Sequence, residues 1–597
     1  MRKAGSGLVL AICLIFGNLA SPALASTAFN VNIADHFSGI PQDNLSYITT
    51  GMGVGGAESL CTGWDDPKCS NSLSAYVILP VCKSATEANC VEALSISTAK
   101  VAQTNASFVK TIGQQSFPAD PSKELPAGAN WSLFELPALA SAGEISKYAV
   151  KVKVDFRKFP IVGFKSTAFS ASVVPYVTGV TTTKDPSIYE WVNPLGVRTV
   201  SGYPGDSKCI WTENGTCGRE SAFPKDTKVK LTIHLGNYLT SWLHGRLTEP
   251  TVEIVPITQT QNRLVVEAAP VITPSATALV PASEVSPAIA NNFRDPSGYL
   301  PPGEISMMTA ASSDGAMKNF SDFEKFFADK ATSLTDTWSF RSINPVELAS
   351  GAAGGLGGFG GLGGLSGLGG LSGLGGNSDL TGLGSSAAKC VPQAAAVIGA
   401  IAGTNSTSAL IGLVTTNALT YESGPPKFED GYLNYKVAGV HSNPDGSDFI
   451  GKYDLVMDGE IARCLYGFGA KVPVSASVSI VSADSGSRVQ STLFKDDGKW
   501  IRLGAYGFTF SSPTLKIKLA QGGAAGPATS VKPEVKEEVK VEVKSEPKQE
   551  VATNNTTTNS APGDKKVSAK SISCVKGKIV RKISGSNPKC PSGFKKK

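Results

Sequence analysis

The sequence predicts a mainly β protein with two β-sandwich-like domains, one short helical segment, a low-complexity Gly-rich insert and a disordered C-terminal linker. Short runs with apolar residues at every second position indicate half-buried strands. Clusters of Pro, Gly, Asn and Asp separate these runs, as turns between short strands require. Regular helical patterns between the runs are missing, which disfavours a parallel α/β sheet and favours a sandwich.

Residues 1–25 have the pattern of a secretory signal peptide. Arg2 and Lys3 supply the positive start, an apolar stretch runs from Leu8 to Phe16, and Ala23-Leu24-Ala25 is a small-x-small cleavage site. An N-terminal anchor helix is the alternative, but the apolar stretch is too short to span a bilayer, and no later run of about 18 apolar residues follows. The sequence therefore predicts a secreted or cell-wall-associated protein without a membrane-spanning segment in its mature chain.

The cysteines predict disulfide bonds. The chain has 11 of them, and loss of Cys13 with the signal peptide leaves an even number, as in many exported proteins. Chain entropy would make each short loop worth about 2–3 kcal/mol and one long loop about 4–5 kcal/mol. An exchange of partners between the first two pairs stays open. The predicted pairs are Cys61–Cys69, Cys82–Cys90, Cys209–Cys217, Cys574–Cys590 and Cys390–Cys464.

Residues 26–268 form the first predicted β-rich domain. Apolar and charged residues alternate from Tyr148 to Arg157 and from Val229 to Leu235, so each segment predicts a half-buried strand. Thr251 to Ile257 and Leu264 to Val266 predict further short strands. Several such strands separated by turns are the basis for a sandwich in this range.

Residues 269–310 are rich in Pro, Ala and Ser and predict a connector, and residues 311–520 predict a second β-rich domain. One helix is expected near the start of this domain and should pack on a sheet, because four apolar residues recur at helical spacing. They are Met317, Phe320, Phe323 and Phe327, with Asp314 or Ser321 as the cap and Lys330 at the end. The predicted strands are Thr337 to Ile343, Tyr432 to Val440, Tyr453 to Met457, Val472 to Val481 and Leu515 to Leu519, with a tight turn at Asp496 to Trp500.

The Gly-rich insert at 351–388 interrupts the second domain. Gly recurs at every third position from Gly355 to Gly376, and Leu or Phe recurs with the same period. Proline is absent from this stretch, so a collagen-like triple helix is not predicted. A flexible insert is one interpretation, and self-association through its apolar side chains is the other.

Residues 521–570 predict a disordered linker, and residues 571–597 predict a separate cationic module. The whole chain has a formal charge of +6, and removing Arg2 and Lys3 leaves +4. The last 27 residues supply +8, so the rest of the mature chain carries about −4 and predicts no nucleic-acid partner. An anionic cell-wall polymer or polysaccharide is the predicted partner of the module, and a small solubilising hairpin is the alternative. Its basic residues are Lys576, Lys578, Arg581, Lys582, Lys589, Lys595, Lys596 and Lys597.

No sequence motif identifies an active site. Metalloprotease, serine-hydrolase, Walker and dinucleotide motifs are missing, and no Cys/His cluster predicts zinc, so neither a cofactor nor a metal is expected. Ser207 follows Gly205-Asp206 but lies in a turn and is not a predicted nucleophile. Trp242 to Leu247 offers groups for an anion or a sugar, yet a corner between strands is favoured. Asn443 to Asp448 has too few oxygen ligands for calcium and predicts a hydrated turn.

Three stretches resemble parts of uncharacterised secreted and cell-surface proteins of planktonic actinobacteria. They are CVKGK…KCPSGFKKK at the C-terminus, TTNALTYESGPPKFEDGYLNYKVAGVH with DGEIARCLYGF after it, and SWLHGRLTEP. The resemblance implies a secreted surface protein and makes Cys464 part of the framework of its domain. It carries over no catalytic residue.

The sequence therefore favours an exported, non-enzymatic cell-envelope protein with a structural or adhesive function. A secreted hydrolase acting on polysaccharide or peptide is one alternative, and a carbohydrate-binding protein is the other. A deep pocket with converging carboxylates, or His244 beside an acid, would favour the hydrolase. An open aromatic platform without such acids would favour the carbohydrate-binding protein.

Overall fold

A computed structural model gives the fold of most of the chain. Among the residues that it describes, the protein is mainly β, which confirms the predicted class. The signal peptide, the Gly-rich insert, Cys390, Cys590 and most of the predicted linker lie outside these residues. The described residues are 28–34, 44–51, 57–70, 72–159, 163–180, 185–192, 196–203, 206, 208–236, 242–258, 260–286, 306–310, 320–343, 410–422, 424–429, 431–468, 474–481, 491–510, 514–521, 570–576, 579–585 and 595–596.

The described elements are 34 strands and three α-helices. The helices are α1 Pro137–Ser141, α2 Phe320–Phe327 and α3 Gly459–Leu465. The first strands are β1 Ala28–Ala34, β2 Tyr47–Thr49, β3 Leu60–Cys61, β4 Leu73–Ile78, β5 Cys90–Ser97, β6 Thr104–Asn105, β7 Ser107–Thr111, β8 Ser132–Glu135, β9 Lys147–Phe159, β10 Gly163–Val180, β11 Ser187–Val192, β12 Arg198–Tyr203, β13 Trp211–Glu213, β14 Thr216–Glu220, β15 Lys228–Gly236, β16 Trp242–Arg246, β17 Thr248–Pro256, β18 Gln261–Ala269 and β19 Val271–Pro281. The remaining strands are β20 Ser306–Ala310, β21 Ser333–Thr337, β22 Ser339–Ser342, β23 Gly412–Thr416, β24 Thr420–Tyr421, β25 Lys427–Glu429, β26 Tyr432–Ala438, β27 Gly451–Asp458, β28 Val474–Val481, β29 Ser491–Asp496, β30 Trp500–Phe508, β31 Thr514–Gln521, β32 Lys570–Lys576, β33 Ile579–Gly585 and β34 Lys595–Lys596.

One large sheet joins the two ranges that the sequence suggests as separate domains. Its main path runs β29-β30-β27-β23-β16-β22-β10-β9-β4-β2-β3. Within this path β22 pairs with β16 on one side and with β10 on the other, so late and early parts of the chain are hydrogen-bonded together. Residues Met1–Thr529 accordingly form one compact unit. Among the described residues, the sheet therefore continues across the predicted boundary between residues 268 and 311.

The predicted connector at 269–310 contains a strand. β19 pairs antiparallel with β1 and with β21 in a four-stranded sheet. Its composition of Pro, Ala and Ser is typical of a loop, but Val271, Ala276 and Val280 are buried and hold it in the core. Small apolar residues that are buried between two neighbouring strands can thus outweigh a composition that favours a loop.

Helix α2 confirms the predicted apolar face, although the helix is shorter than expected. Phe320, Phe323 and Phe327 are buried and contribute to the core formed with the later strands. The helix ends at Phe327 rather than at Lys330, because Ala328 and the residue after it both adopt left-handed backbone angles. Ser321 lies inside the helix and is not its cap, and Asp314 lies outside the described residues.

Other local predictions can be compared directly with the strands. β9, β15 and β18 contain the predicted segments, and β17 ends one residue before the predicted Ile257. β27 and β31 contain the segments predicted after residue 430, whereas β26 ends two residues earlier and β28 begins two residues later than predicted. The turn between β29 and β30 is confirmed, with Asp497 Oδ1 accepting from the amide of Trp500 at 2.7 Å and Gly498 at a φ of +90°. The single strand predicted from Thr337 to Ile343 is instead split at Trp338 into β21 and β22.

The C-terminal residues belong to a second compact unit, Ser530–Lys597. Within it, β32 pairs antiparallel with β33 and with β34, and Cys574 is opposite both Arg581 and Lys596. Five of the predicted basic residues, Lys576, Arg581, Lys582, Lys595 and Lys596, are in these strands, whereas Lys578, Lys589 and Lys597 lie outside the described residues.

Candidate functional site

A two-stranded ribbon carries three exposed aromatic side chains on one face. β11 and β12 pair antiparallel, with Tyr189 opposite Ser201, Trp191 opposite Thr199 and Tyr203 opposite Ser187. Directly opposed residues share a face of a sheet, and so do residues two apart on one strand. The side chains of Tyr189, Trp191 and Tyr203 are 47%, 36% and 37% exposed. The ribbon therefore presents a row of two tyrosines and one tryptophan, which we call the aromatic face.

The opposite face of the ribbon is attached to the body of the protein. Val200 is buried there, and the carboxylate of Glu190 accepts a hydrogen bond from the amide of Leu60 at 2.5 Å. The carbonyl of Arg198 accepts from the amide of Glu58 at 2.9 Å. A lone two-stranded ribbon is only marginally stable in water, so these contacts fix both the fold and the orientation of the aromatic face.

Glu58 adds a second link between the body and β12. Its carboxylate accepts a hydrogen bond from the backbone of Val200, while partial burial raises the pKa of Glu58 above its ordinary value. The partly buried Glu58 thus adds a side-chain contact to the backbone hydrogen bond that joins the body to β12. The back of the ribbon is thus packed and hydrogen-bonded at Glu190 and Val200, whereas Val192 at its end is exposed.

Two disulfide bonds lie next to these attachments. Cys61–Cys69 closes directly after Leu60, and Cys209–Cys217 closes the segment that follows the ribbon. Together with Cys82–Cys90 they confirm the three predicted short pairings without exchange of partners. Cys464 is also disulfide-bonded, and its partner is not among the described residues.

The aromatic face has the chemistry of a binding surface. Tyrosine and tryptophan combine a broad apolar ring with a polar edge, and they are enriched where proteins bind ligands and partners. The indole Nε1 of Trp191 donates to Ser201 Oγ at 2.7 Å, which holds the ring against the ribbon. Among the described residues of β11 and β12, the carboxylate is that of Glu190, on the opposite face. The arrangement therefore suits binding rather than acid–base catalysis.

A polar cluster near Cys82 is engaged in contacts of its own. His234 Nε2 and Glu92 Oε2 are 2.8 Å apart, and Arg263 donates to both oxygens of Glu92 at 2.5 and 2.6 Å. The hydrogen bond from Arg263 is the main cause that lowers the pKa of Glu92. His234 Nδ1 lies 2.8 Å from the carbonyl oxygen of Glu87, so both ring nitrogens have partners. These contacts indicate a structural role for the cluster.

Two surface depressions adjoin this cluster. They have volumes of about 980 and 560 Å³ and share Cys82, Lys83 and Ser84 in their walls. Glu87 and Glu124 line the larger one, and Glu124 already accepts hydrogen bonds from Thr260 and Gln261. The residues of the aromatic face line neither depression.

His244 is buried among aromatic and cationic groups. Its ring stacks on Tyr421 with centroids 3.8 Å apart and planes inclined by 2°. The guanidinium of Arg246 lies 4.4 Å from the centre of the same Tyr421 ring. Burial, and then the charges of Arg341 and Arg246, lower the pKa of His244 well below its ordinary value. Trp242 is likewise fully buried, as expected, but Trp242–Arg246 forms strand β16 between β22 and β23 rather than the predicted corner between strands.

Asp454 is a buried carboxyl that the sequence did not single out. Thr248 Oγ1, the amide of Glu249 and Thr415 Oγ1 donate to its Oδ2 at 3.0, 3.2 and 3.3 Å, and the hydroxyl of Tyr506 donates to Oδ1. Burial nevertheless raises the pKa of Asp454 to about 6. These donors lie on β17, β23 and β30, and the two on β17 are at the start of a bulge. Because the three strands are far apart in sequence, no local motif predicts this carboxyl site.

The remaining candidates from the sequence have simple outcomes. Asn443 to Asp448 forms the predicted turn, in which Asp445 Oδ1 accepts from the amide and the hydroxyl of Ser447 at 2.9 and 2.6 Å. Ser207 lies outside the described residues. No sequence motif predicts the aromatic face, although Tyr189 and Trp191 do show the two-residue period of a strand.

Comparison of the chain with protein-family models, with curated proteins and with solved structures finds no match. Among the helices that the structure describes, none has both the length and the apolar character needed to cross a lipid bilayer.

Proposed function

We propose that the protein is an exported, non-enzymatic cell-envelope protein that binds polysaccharide through the aromatic face of β11 and β12. The observation that supports this proposal is the exposure of Tyr189, Trp191 and Tyr203 on one side of a ribbon whose other side is firmly attached. The signal-peptide pattern and the disulfide bonds support export.

A saccharide is the ligand class that suits this face best. Sugar rings offer apolar C–H surfaces that lie flat on aromatic rings, and their hydroxyl groups can bond to polar neighbours such as Thr199 and Ser201. Tyr189 and Trp191 are two residues apart on one strand, a spacing of about 7 Å, so they can contact successive parts of an extended chain. An open ribbon suits a polymer that passes across it rather than a small molecule that needs enclosure.

Binding to insoluble polysaccharides tests the proposal. The mature protein would be incubated with cellulose, chitin and purified cell walls, and the bound fraction would be measured against protein concentration. Trp191→Ala should weaken binding to the best of these polymers by about 30-fold, because a central aromatic contact is worth about 2 kcal/mol. Tyr189→Ala should weaken it in the same direction.

Phe108→Ala is the matched control. Phe108 is 46% exposed on β7, which pairs with β8 and not with β11 or β12, so it reports the effect of removing an exposed ring from another strand. Unchanged binding in Phe108→Ala is expected. Binding by Trp191→Ala that equals that of the unaltered protein would contradict the proposal, as would an equal loss in Phe108→Ala.

The cationic module has a second, separable role in the proposal. We expect its basic residues to hold the protein on anionic wall polymers, an attraction that salt screens within about 10 Å at 0.1 M. Because Ser530–Lys597 is a compact unit of its own, its deletion should leave the first unit folded. Cells producing the intact or the shortened protein would be fractionated and washed with high salt. Identical partitioning of the two proteins would contradict the anchoring role of the cationic module. It would not affect the proposal that the aromatic face binds polysaccharide.

A further inference from the structure

Three side chains with metal-binding atoms converge at the end of α2. Glu324 lies within the helix, Asp329 lies two residues beyond it, and His441 follows β26. One ligand atom from each residue lies within 4.8 Å of the ligand atoms of the other two. All three side chains are partly buried, with that of His441 44% exposed. The cluster is therefore accessible from solvent.

Hydrogen bonds of the backbone and of the Asp329 carboxylate hold the two segments together. The carbonyl of Asp329 accepts from the amides of His441 and Ser442, both at 3.2 Å. The carbonyl of Ser442 in turn accepts from the amide of Ala331 at 2.9 Å. Asp329 Oδ1 accepts from the His441 amide at 2.9 Å, and Asp329 Oδ2 contacts the imidazole Nδ1. The site is thus assembled by the fold, across 112 residues of sequence.

We infer that Glu324, Asp329 and His441 form a binding site for a divalent transition-metal ion of the zinc type. One imidazole nitrogen and two carboxylate oxygens are a ligand set that zinc accepts, with bonds of about 2.0–2.2 Å. Tetrahedral bonds of this length put ligand atoms about 3.4 Å apart, and the three ligand atoms here lie within 4.8 Å of one another. The imidazole disfavours calcium and magnesium, which prefer oxygen ligands.

The ligand set leaves one tetrahedral position for water or a ligand from solvent. A bound ion would also link the end of α2 to the segment after β26, because its ligands come from both. A second metal-sized cluster among the described residues, Cys82, Cys90 and His234, is chemically different, since its two sulfurs are joined in a disulfide and are not thiolates.

Titration of the mature protein with Zn²⁺ tests the inference. The protein would be treated with a chelator without reductant, dialysed, and titrated by calorimetry. One ion per chain should bind, and Asp329→Asn and His441→Ala should each weaken binding by at least about 10–100-fold, the loss that even an outer-shell partner can cause. Glu324→Gln, which keeps the helix surface nearly unchanged, should weaken it in the same direction. Asp445→Asn, in the neighbouring turn, should bind as the original does.

Co²⁺ identifies the ligands by its absorption spectrum. Nitrogen and oxygen ligands give weak visible bands, whereas thiolates add an intense near-ultraviolet band. The inference is overturned by the absence of Zn²⁺ binding at millimolar concentration, by unchanged binding in His441→Ala, or by the thiolate band. An equal loss of Zn²⁺ binding in Asp445→Asn would also overturn the inference, because the binding would then depend on general surface charge and not on the three ligands. Circular dichroism of each variant confirms that it is folded.

Discussion

Replacement of Asp454 by asparagine should remove a pH dependence from the stability of the fold. Burial raises the pKa of Asp454 from its ordinary value of 3.8 to about 6, although hydrogen bonds from Tyr506 and Thr248 act in the opposite direction. A carboxyl with a higher pKa in the folded state binds its proton more tightly there than in the unfolded chain. The stability that Asp454 contributes is therefore fully present below about pH 4 and is lost as the pH rises through about 6.

The difference between the folded and unfolded pKa values of Asp454 sets the size of the change in unfolding free energy. One pKa unit corresponds to about 1.36 kcal/mol, so a rise from 3.8 to about 6 amounts to about 3 kcal/mol at neutral pH. Asparagine has nearly the same shape and does not titrate. Its oxygen can accept the hydrogen bonds from Thr248 and Glu249, and its NH₂ group can donate to the hydroxyl oxygen of Tyr506.

Urea unfolding followed by tryptophan fluorescence provides the assay. The unfolding free energy of Asp454→Asn minus that of the original protein should increase by about 3 kcal/mol between about pH 4 and pH 7, and then stay constant. Other carboxyls with shifted pKa values, such as Glu92 and Asp336, titrate in both proteins and cancel in this difference. Parallel curves for the two proteins would refute the assigned pKa of Asp454 and the reasoning from its burial.

Two further substitutions probe packing and cross-linking. Gly412→Ala should destabilise the protein by about 1–3 kcal/mol in urea unfolding, because its Cβ would lie 2.5 Å from both Trp242 Cζ3 and the carbonyl oxygen of Val456. Gly424→Ala, where a Cβ meets nothing within 4 Å, is its control and should change stability by less than about 0.5 kcal/mol; an equal effect of the two changes would contradict the packing argument. Removal of the Cys61–Cys69 bond by a double change to serine should cost about 2.6 kcal/mol, from the entropy of a loop with a sequence separation of 8. It should also weaken polysaccharide binding, since Leu60 holds the ribbon, and unchanged binding would show that the ribbon keeps its orientation without this cross-link.

Local patterns predicted local structure well. The alternation from Tyr148 to Arg157 corresponds to β9, the phenylalanines of α2 face the core, and the three cysteine pairs eight residues apart are bonded. In each case the physical cause lies within a short stretch of sequence, namely the period of a strand, the period of a helix or the entropy of a small loop.

Features built from distant residues could not be predicted in this way. The large sheet depends on β22 pairing between β10 and β16, and the composition of β19 gives no sign of its burial. Asp454 collects its donors from strands far apart in sequence. The aromatic face depends on the register of β11 against β12, because this register puts Tyr203 on the same face of the ribbon as Tyr189. Sequence alone does not give that register.

The central place of β22 has a consequence for how the chain must fold as it emerges. β9 and β10 are sequence neighbours and can pair early. The other edge of β10, around Ala171, has no strand partner until β22 with Phe340 has been synthesised. Sheets that depend on such distant pairings form slowly, and open strand edges invite association with other chains. A chain cut short before β22 would keep this edge of β10 uncovered, so truncated forms should aggregate even when their local hairpins are intact.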